Sequence, residues 1–294
     1  MAELDWSCLR RSLVGPVIRP AMALGCALVA PWAAAEPAVS PFSVSYFPKA
    51  AQWEFNGRLG VLASEHRTES RLLQHEGSTV TGLLTPGFRW GWRENLALEV
   101  SQPVAHRFQV DPHNPNVGPE GLRAPTVSLT HRLGHGQEAL SWRLAGMVQI
   151  NPWNSSGLNQ WGASLAAVAT AAPGGPASLT LGASRYPETG MSVVTATGAW
   201  ELPAGAWLLQ GSLGLAQYSA YATAAARMQD ARAWSAGLEA SRQVRPGLWA
   251  GLSFGVADHR QQLSTVPTAK LPLALPVSNR TAVQTLTLTL RSLY

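Results

Sequence analysis

Apolar and polar residues alternate with a period of two along most of the chain beyond residue 51. In the stretch WEFNGRLGVLA, Trp53, Phe55 and Leu59 fall on one face and Glu54 and Arg58 on the other. Successive side chains of a β-strand point to opposite faces, so this pattern predicts a strand with one apolar face. Comparable patterns occur near 79–92, 96–104, 126–133, 139–150, 158–170, 177–186, 190–202, 206–218, 232–244, 247–259 and 277–294.

The links between these twelve segments alternate between short and long. Short links such as 93–95, 172–176 and 245–247 are separated by longer ones such as 111–123 and 260–276. Outer-membrane barrels have short turns on the periplasmic side and longer loops outside. The pattern therefore predicts an all-β fold, a transmembrane antiparallel up-and-down β-barrel of about 12 strands over residues 51–294, which we expect to be a monomer.

The composition agrees with a barrel that separates lipid from a polar interior. Hydrophobic residues make up 46% and charged residues 13%, yet the mean hydropathy is zero. A helical membrane protein would have a higher mean hydropathy, whereas alternating lipid-facing and lumen-facing residues average out. A soluble β-sandwich with core tryptophans is the alternative, although it would rarely need twelve long strands.

The first residues have the pattern of an export signal. Arg10, Arg11 and Arg19 precede an apolar run that ends in Ala33-Ala34-Ala35. We therefore interpret residues 1–35 as a cleaved signal peptide and residues 36–50 as a periplasmic lead-in. Cys8 and Cys26 both lie in this leader, so the mature chain is expected to have no disulfide, thiolate metal site or cysteine nucleophile. The leader predicts export to the outer membrane of a Gram-negative bacterium.

Tryptophans and the last strand add two membrane signals. The predicted interfacial girdle consists of Trp92, Trp142, Trp161, Trp200, Trp207 and Trp234, which fall near strand ends, where their amphipathic rings suit the headgroup level. The chain ends TAVQTLTLTLRSLY, with an apolar face that must pair with the first strand because an open edge is not tolerated in lipid. This ending is similar to the signal for outer-membrane insertion, carried here by Leu286, Leu288, Leu290 and Tyr294.

If the apolar face meets lipid, the other face lines the lumen. The expected lumen or solute-binding residues are Arg58, Arg89, Arg132, Arg143, Arg185, Arg291, Glu54, Glu99, Glu201 and Glu239. Two interpretations stay open and do not exclude each other. Arginines and glutamates would pair across strands and fill the lumen, as Arg89 with Glu99, or the arginine excess would favour anionic and aromatic solutes.

Two stretches resemble a known family. GFRWGWRENLALEVSQPV (87–104) and GPEGLRAPTVSLTHRL (118–133) are similar to the second to fourth strands of outer-membrane proteins associated with meta-pathway phenol degradation. An aspartate usual before the fourth strand is replaced by Ala124-Pro125. The resemblance implies a transporter of small compounds, aromatic ones among them, and supplies no catalytic residues.

These observations predict a channel or transporter for small, anionic or aromatic solutes. The alternative is a structural or adhesive barrel that acts through its loops, and an outer-membrane hydrolase is a weaker third. No catalytic, metal-binding or phosphate-binding motif occurs, so we expect no enzyme, cofactor or metal. No cluster of basic residues indicates nucleic-acid binding. Expected partners are outer-membrane lipid and lipopolysaccharide, a small-molecule solute and, during biogenesis, periplasmic chaperones and the barrel-assembly machinery.

Overall fold

The computed structural model describes residues 40–70, 74–110, 120–134, 139–151, 159–222, 226–265 and 275–294, so the leader 1–35 lies outside the described residues. These residues form fifteen strands: β1 Trp53–Ser70, β2 Gln74–Arg93, β3 Leu96–Ser101, β4 Val104–Gln109, β5 Gly121–Leu122, β6 Thr126–Leu133, β7 Leu140–Gln149, β8 Gln160–Ala169, β9 Ala177–Arg185, β10 Ser192–Ala204, β11 Trp207–Tyr218, β12 Tyr221–Ala222, β13 Ala226–Arg245, β14 Leu248–Thr265 and β15 Pro276–Leu293. No helix in these ranges is long and apolar enough to cross a membrane.

The strands close into an antiparallel barrel. In spatial order they run β1-β15-β14-β13-β11-β10-β9-β8-β7-β6-β3-β2, and β2 pairs with β1 again. β4, β5 and β12 are short extensions, so the wall of the described residues contains twelve strand positions. At the seam the backbone of Trp53 exchanges hydrogen bonds with that of Tyr294, 3.0 and 2.8 Å long. The twelve-stranded barrel and the pairing of the last strand with the first, both predicted from the sequence, are confirmed.

A proline interrupts the wall between β3 and β4. β3 and β4 both pair with β2 and are separated by Gln102 and Pro103. Next to this break, the nitrogen of Arg123 donates to the Pro103 carbonyl at 2.9 Å. The Gln102 side-chain amide donates to the Arg123 carbonyl at 2.6 Å. Proline has no N–H to donate, and these bonds keep the wall connected where the regular ladder stops.

The apolar face of the strands is on the outside of the barrel. Leu59, Leu213 and Leu215 expose 59%, 57% and 67% of their surface. The inward residues of the strands carry polar or small side chains. Two of them, Glu54 and Asn56, expose only 1% and 4% of their surface. Large apolar side chains facing outward around a closed polar interior are the arrangement required by a lipid environment and opposite to that of a soluble sandwich.

The six girdle tryptophans all face outward, at two levels of the wall. Trp92, Trp142, Trp200 and Trp207 lie near the short turns, while Trp161 and Trp234 lie near the longer links.

Several strands also extend beyond the length that the apolar pattern indicated. β1 continues to Ser70 and β2 begins at Gln74, through polar segments that only cross-strand pairing holds as strand.

Candidate functional site: the lumen

Small side chains line the middle of the barrel. A Cβ added to Gly60 would lie 2.9 Å from the hydroxyl of Thr287, and one added to Gly214 would lie 2.5 Å from the hydroxyl of Ser235. Glycine, serine and threonine place little side-chain volume in this part of the lumen. Ser235 points inward by strand alternation but is exposed, so solvent-accessible space exists inside the wall at its height.

Ionised side chains gather towards the short-turn end. Nη1 of Arg291 lies 3.4 Å from Oε1 of Glu54, a carboxylate that is almost fully buried. Nε of Arg89 lies 3.9 Å from Oε2 of Glu99, so the ion pair expected from the sequence is present. The remaining inward members of this layer are Arg58, Arg132, Arg143, Glu201 and Glu239.

Arg185 lies outside the lumen, contrary to the expectation from the sequence. It pairs directly with Trp161 of β8, whose ring exposes 53% of its surface on the lipid side. Its position also alternates in step with the outward Leu179 and Leu181. The assignment was wrong because the strand alternation was not carried through to the end of β9. The lumen layer therefore contains five arginines and four glutamates, and the formal excess falls from two positive charges to one.

The segment 40–52 is folded into this charged end of the barrel. Phe42, Tyr46 and Phe47 are each less than 10% exposed, and Pro41 and Pro48 are fully buried. Burial, reinforced by the neighbouring Glu54 carboxylate, raises the pKa of Tyr46, so its phenol stays protonated. Of the residues that the sequence assigns to the lead-in, 40–48 thus occupy the lumen, whereas Lys49 and Ala50 are exposed.

Hydrogen bonds attach the segment to the charged layer. The hydroxyl of Ser43 donates to Oε2 of Glu201 at 2.9 Å, and the nitrogen of Val44 donates to Oε1 of the same carboxylate. Nη2 of Arg143 donates to the Ser45 carbonyl at 2.8 Å. Nη1 of Arg291 donates to the Pro41 carbonyl. Charge-assisted bonds of this kind are stronger than neutral ones, so the segment is firmly held.

Guanidinium groups surround the aromatic rings of the segment. The Cζ atoms of Arg132, Arg143 and Arg89 lie 4.9, 5.7 and 5.9 Å from the centroid of the Phe47 ring. The Cζ atom of Arg291 lies 4.5 Å from the centroid of the Phe42 ring. A cation that lies over a ring face within about 6 Å of the ring centroid is attracted by the ring quadrupole. The layer therefore already binds two aromatic rings and two carbonyl oxygens of its own chain.

Two wall glycines make room for the segment. A Cβ on Gly91 would lie 1.9 Å from the Lys49 carbonyl oxygen, which is impossible without moving the backbone. A Cβ on Gly251 would lie 2.6 Å from the Phe42 ring. Only glycine permits so close an approach at these positions.

Hydroxyls and a histidine line the lumen closer to the long loops. Oγ of Ser64 lies 3.1 Å from Nε2 of His66, and Nδ1 of the same ring lies 3.3 Å from the hydroxyl of Thr281. A serine–histidine contact resembles an activated nucleophile, but the position of the orienting acid is taken by a threonine and Ser64 is 4% exposed. The geometry does not favour the hydrolase. The described residues also contain no group of three or more metal-binding side chains.

Sequence reasoning missed the part played by residues 40–50. The signal was present in the sequence, since Phe42, Tyr46 and Phe47 are three aromatic residues in a short segment outside any strand. Exposed aromatics in a loose lead-in would be costly, which indicates that they pack against something. The two glycines could not have been singled out, because their role depends on which residues face them across the lumen.

The comparisons with known proteins support the barrel fold. Neither a protein-family model nor a curated protein matches the chain. The crystal structure of an outer membrane channel from Pseudomonas putida F1 superposes with a TM-score of 0.55 at 12% identity, covering 87% of this chain and 100% of the other. The TodX monoaromatic hydrocarbon channel reaches a TM-score of 0.41 at 7% identity, over 86% and 93% of the two chains. The outer membrane protease OmpT from Escherichia coli reaches 0.34 at 10% identity, over 87% and 100%. The first likeness establishes an outer-membrane barrel fold, and the other two are too distant to carry an argument.

Proposed function

We propose that the protein is an outer-membrane channel that passes small solutes through its lumen. The supporting observation is the combination of an apolar outer wall with a middle lumen lined by small, solvent-accessible polar residues such as Ser235. A barrel of twelve strands is wider than the eight-stranded barrels that side chains fill and narrower than the sixteen-stranded porins. The channel therefore suits small solutes.

The contacts of Phe47 support a preference for aromatic acids. Three arginines lie around this ring, and one of them also donates to a neighbouring carbonyl oxygen. A planar ring that carries a carboxylate would present the same two features to the same arginines. Aromatic carboxylates are then the solute class that the charged layer recognises, in line with the resemblance to phenol-degradation proteins. The excess of a single positive charge favours anions only mildly.

Planar-bilayer recording of the refolded mature protein tests this proposal. We expect a measurable conductance, a reversal potential that favours anions, and block by millimolar benzoate that exceeds block by cyclohexanecarboxylate, which has the same charge but no aromatic ring. Equal block by both acids would contradict the aromatic preference. A correctly folded protein without any conductance would contradict the channel.

The second candidate is a barrel with a closed lumen that acts through its outer loops. The position of residues 40–48 at the short-turn end favours it, because this segment occupies part of the lumen there. The same recordings distinguish the two, since a closed barrel stays silent at all voltages while remaining folded.

The cellular setting is part of the proposal. The outward tryptophans and leucines suit the outer membrane, with the short turns on the periplasmic side. Delivery by a signal peptide, periplasmic chaperones and the barrel-assembly machinery would follow from that location. Membrane fractionation of a producing cell tests it, and recovery in the soluble fraction would contradict it.

A further inference from the structure

Arginines of adjacent strands are aligned side by side on the outer wall. Arg232 of β13 pairs directly with Arg260 of β14, and Arg260 pairs directly with Arg280 of β15. All three alternate in step with outward residues such as Trp234 and Phe254. We call these three residues the outer arginine row. Like charges directly opposite each other across strands are destabilising, so a bound anion would stabilise this alignment.

A buried carboxylate holds two of these arginines in place. The two side-chain oxygens of Asp258 accept from Nε of Arg280 at 2.9 Å and from Nε of Arg260 at 3.1 Å. The Asp258 side chain is 4% exposed, whereas those of Arg280 and Arg260 are 55% and 69% exposed. The aspartate therefore orients both guanidinium groups from beneath while their outer parts remain accessible.

Among the ion pairs that the structure describes, those of the row involve a single carboxylate, Asp258. Asp258 bonds to two of the three guanidinium groups, and Nε of Arg232 donates to the neutral amide oxygen of Gln217 at 3.0 Å. The row and these bonded partners therefore have a formal excess of two positive charges. On the next strand Arg67 pairs directly with Arg280, but it bonds to Glu69 and Glu76, so that part of the wall contains its own counter-charges.

The row lies at the membrane boundary on the long-loop side. Arg242 stacks on Trp207 near the short turns, with 5.2 Å between Cζ and the ring centroid, and belongs to the same strand as Arg232. Ten residues of strand extend about 33 Å. Because the strands are tilted by about 40° from the barrel axis, this length covers about 25 Å along that axis. That height is close to the apolar band of outer-membrane barrels, about 25 Å. Arg232 therefore lies where the headgroups of the outer leaflet begin.

An apolar surface continues below the row. Trp234, Leu238 and Phe254 face outward on β13 and β14 and expose 41%, 67% and 45% of their surface. A ligand that fits has a phosphate at the level of the arginines and acyl chains that descend along these side chains. Guanidinium forks bind phosphate through paired hydrogen bonds.

We propose that the outer arginine row is a binding site for a phosphorylated lipid of the outer leaflet, a lipopolysaccharide of lipid A type. The phosphate lies between Arg232, Arg260 and Arg280, and the acyl chains contact Trp234, Leu238 and Phe254. The site is on the lipid side of the wall, so it does not depend on whether the lumen conducts.

Titration of the refolded mature protein with purified lipid A in detergent, followed by native mass spectrometry, tests the site. We expect the bisphosphorylated lipid to bind more tightly than the same lipid after removal of both phosphates. The double variant R260Q/R280Q should bind the bisphosphorylated lipid about thirtyfold more weakly. The matched control Arg242→Gln, which removes an outward arginine at the other membrane boundary, should leave this affinity unchanged.

Three outcomes would overturn the proposal. The first is equal affinity for the phosphorylated and dephosphorylated lipids. The second is an equal loss of lipid affinity in the double variant and the control. The third is displacement of the lipid by an equal concentration of inorganic phosphate. The gel mobility of unheated samples shows whether each variant has folded. If R260Q/R280Q does not fold, R260K/R280K keeps both positive charges but replaces the guanidinium forks by ammonium groups. This variant should show an intermediate loss of lipid affinity.

Discussion

The middle of the lumen and its short-turn end differ in how they are filled, although the same strands build both. In the middle, glycine, serine and threonine side chains leave accessible space around residues such as Ser235. At the short-turn end, arginines and glutamates enclose the segment 40–52. The difference indicates that the wall sets the width of the lumen in its middle, and that the folded segment sets it at the short-turn end.

Removal of the segment should have the largest effect. A mature protein that lacks residues 40–50 retains every strand of the wall but loses the buried rings of Phe42 and Phe47. We expect single-channel conductance to rise several-fold, because the charged end opens to the width of the middle. An unchanged conductance in a folded barrel would mean that solutes do not pass by this segment.

A bulky residue in the middle should have the opposite effect. Ser235→Trp places an indole in the accessible part of the lumen, and we expect conductance to fall by roughly half. The matched control is Leu238→Trp on the same strand, whose side chain points to lipid. The distinction between the two regions fails if both variants conduct alike.

Charge at the enclosed end should set ion preference. Arg143→Gln removes a lumen guanidinium that donates to Ser45, and we expect the reversal potential to move towards cations. Arg185→Gln removes the same charge from the outer wall beside Trp161 and should leave the reversal potential unchanged. Equal shifts in both variants would show that the preference is a property of net charge and not of the lumen.

The smallest change concerns a single contact of the segment. Ser43→Ala removes the hydroxyl that donates to Glu201 while the backbone of Val44 keeps its bond to the same carboxylate. We expect the segment to lose about 1 kcal/mol of docking free energy, seen as more frequent brief openings in single-channel records. An effect as large as that of the deletion would show that this bond alone holds the segment.

Much of the wall could be predicted because it depends on alternation alone. Which face of a strand is apolar follows from the residues themselves, and so do the strand number, the outward tryptophans and the pairing of the last strand with the first. The pair of Arg89 and Glu99 could also be predicted, since a short turn joins their strands. The error at Arg185 came from the same rule applied incompletely.

The sequence by itself determined that one side of every strand must face lipid, because burying or exposing each side chain is a local question of polarity. Only the tertiary structure decided the cross-strand register that aligns Arg232, Arg260 and Arg280, since residues distant in sequence meet there through ladder hydrogen bonds. It also decided that the segment 40–52 folds into the lumen. That position depends on Gly91, Gly251 and the lumen arginines being brought to one height, which no local pattern encodes.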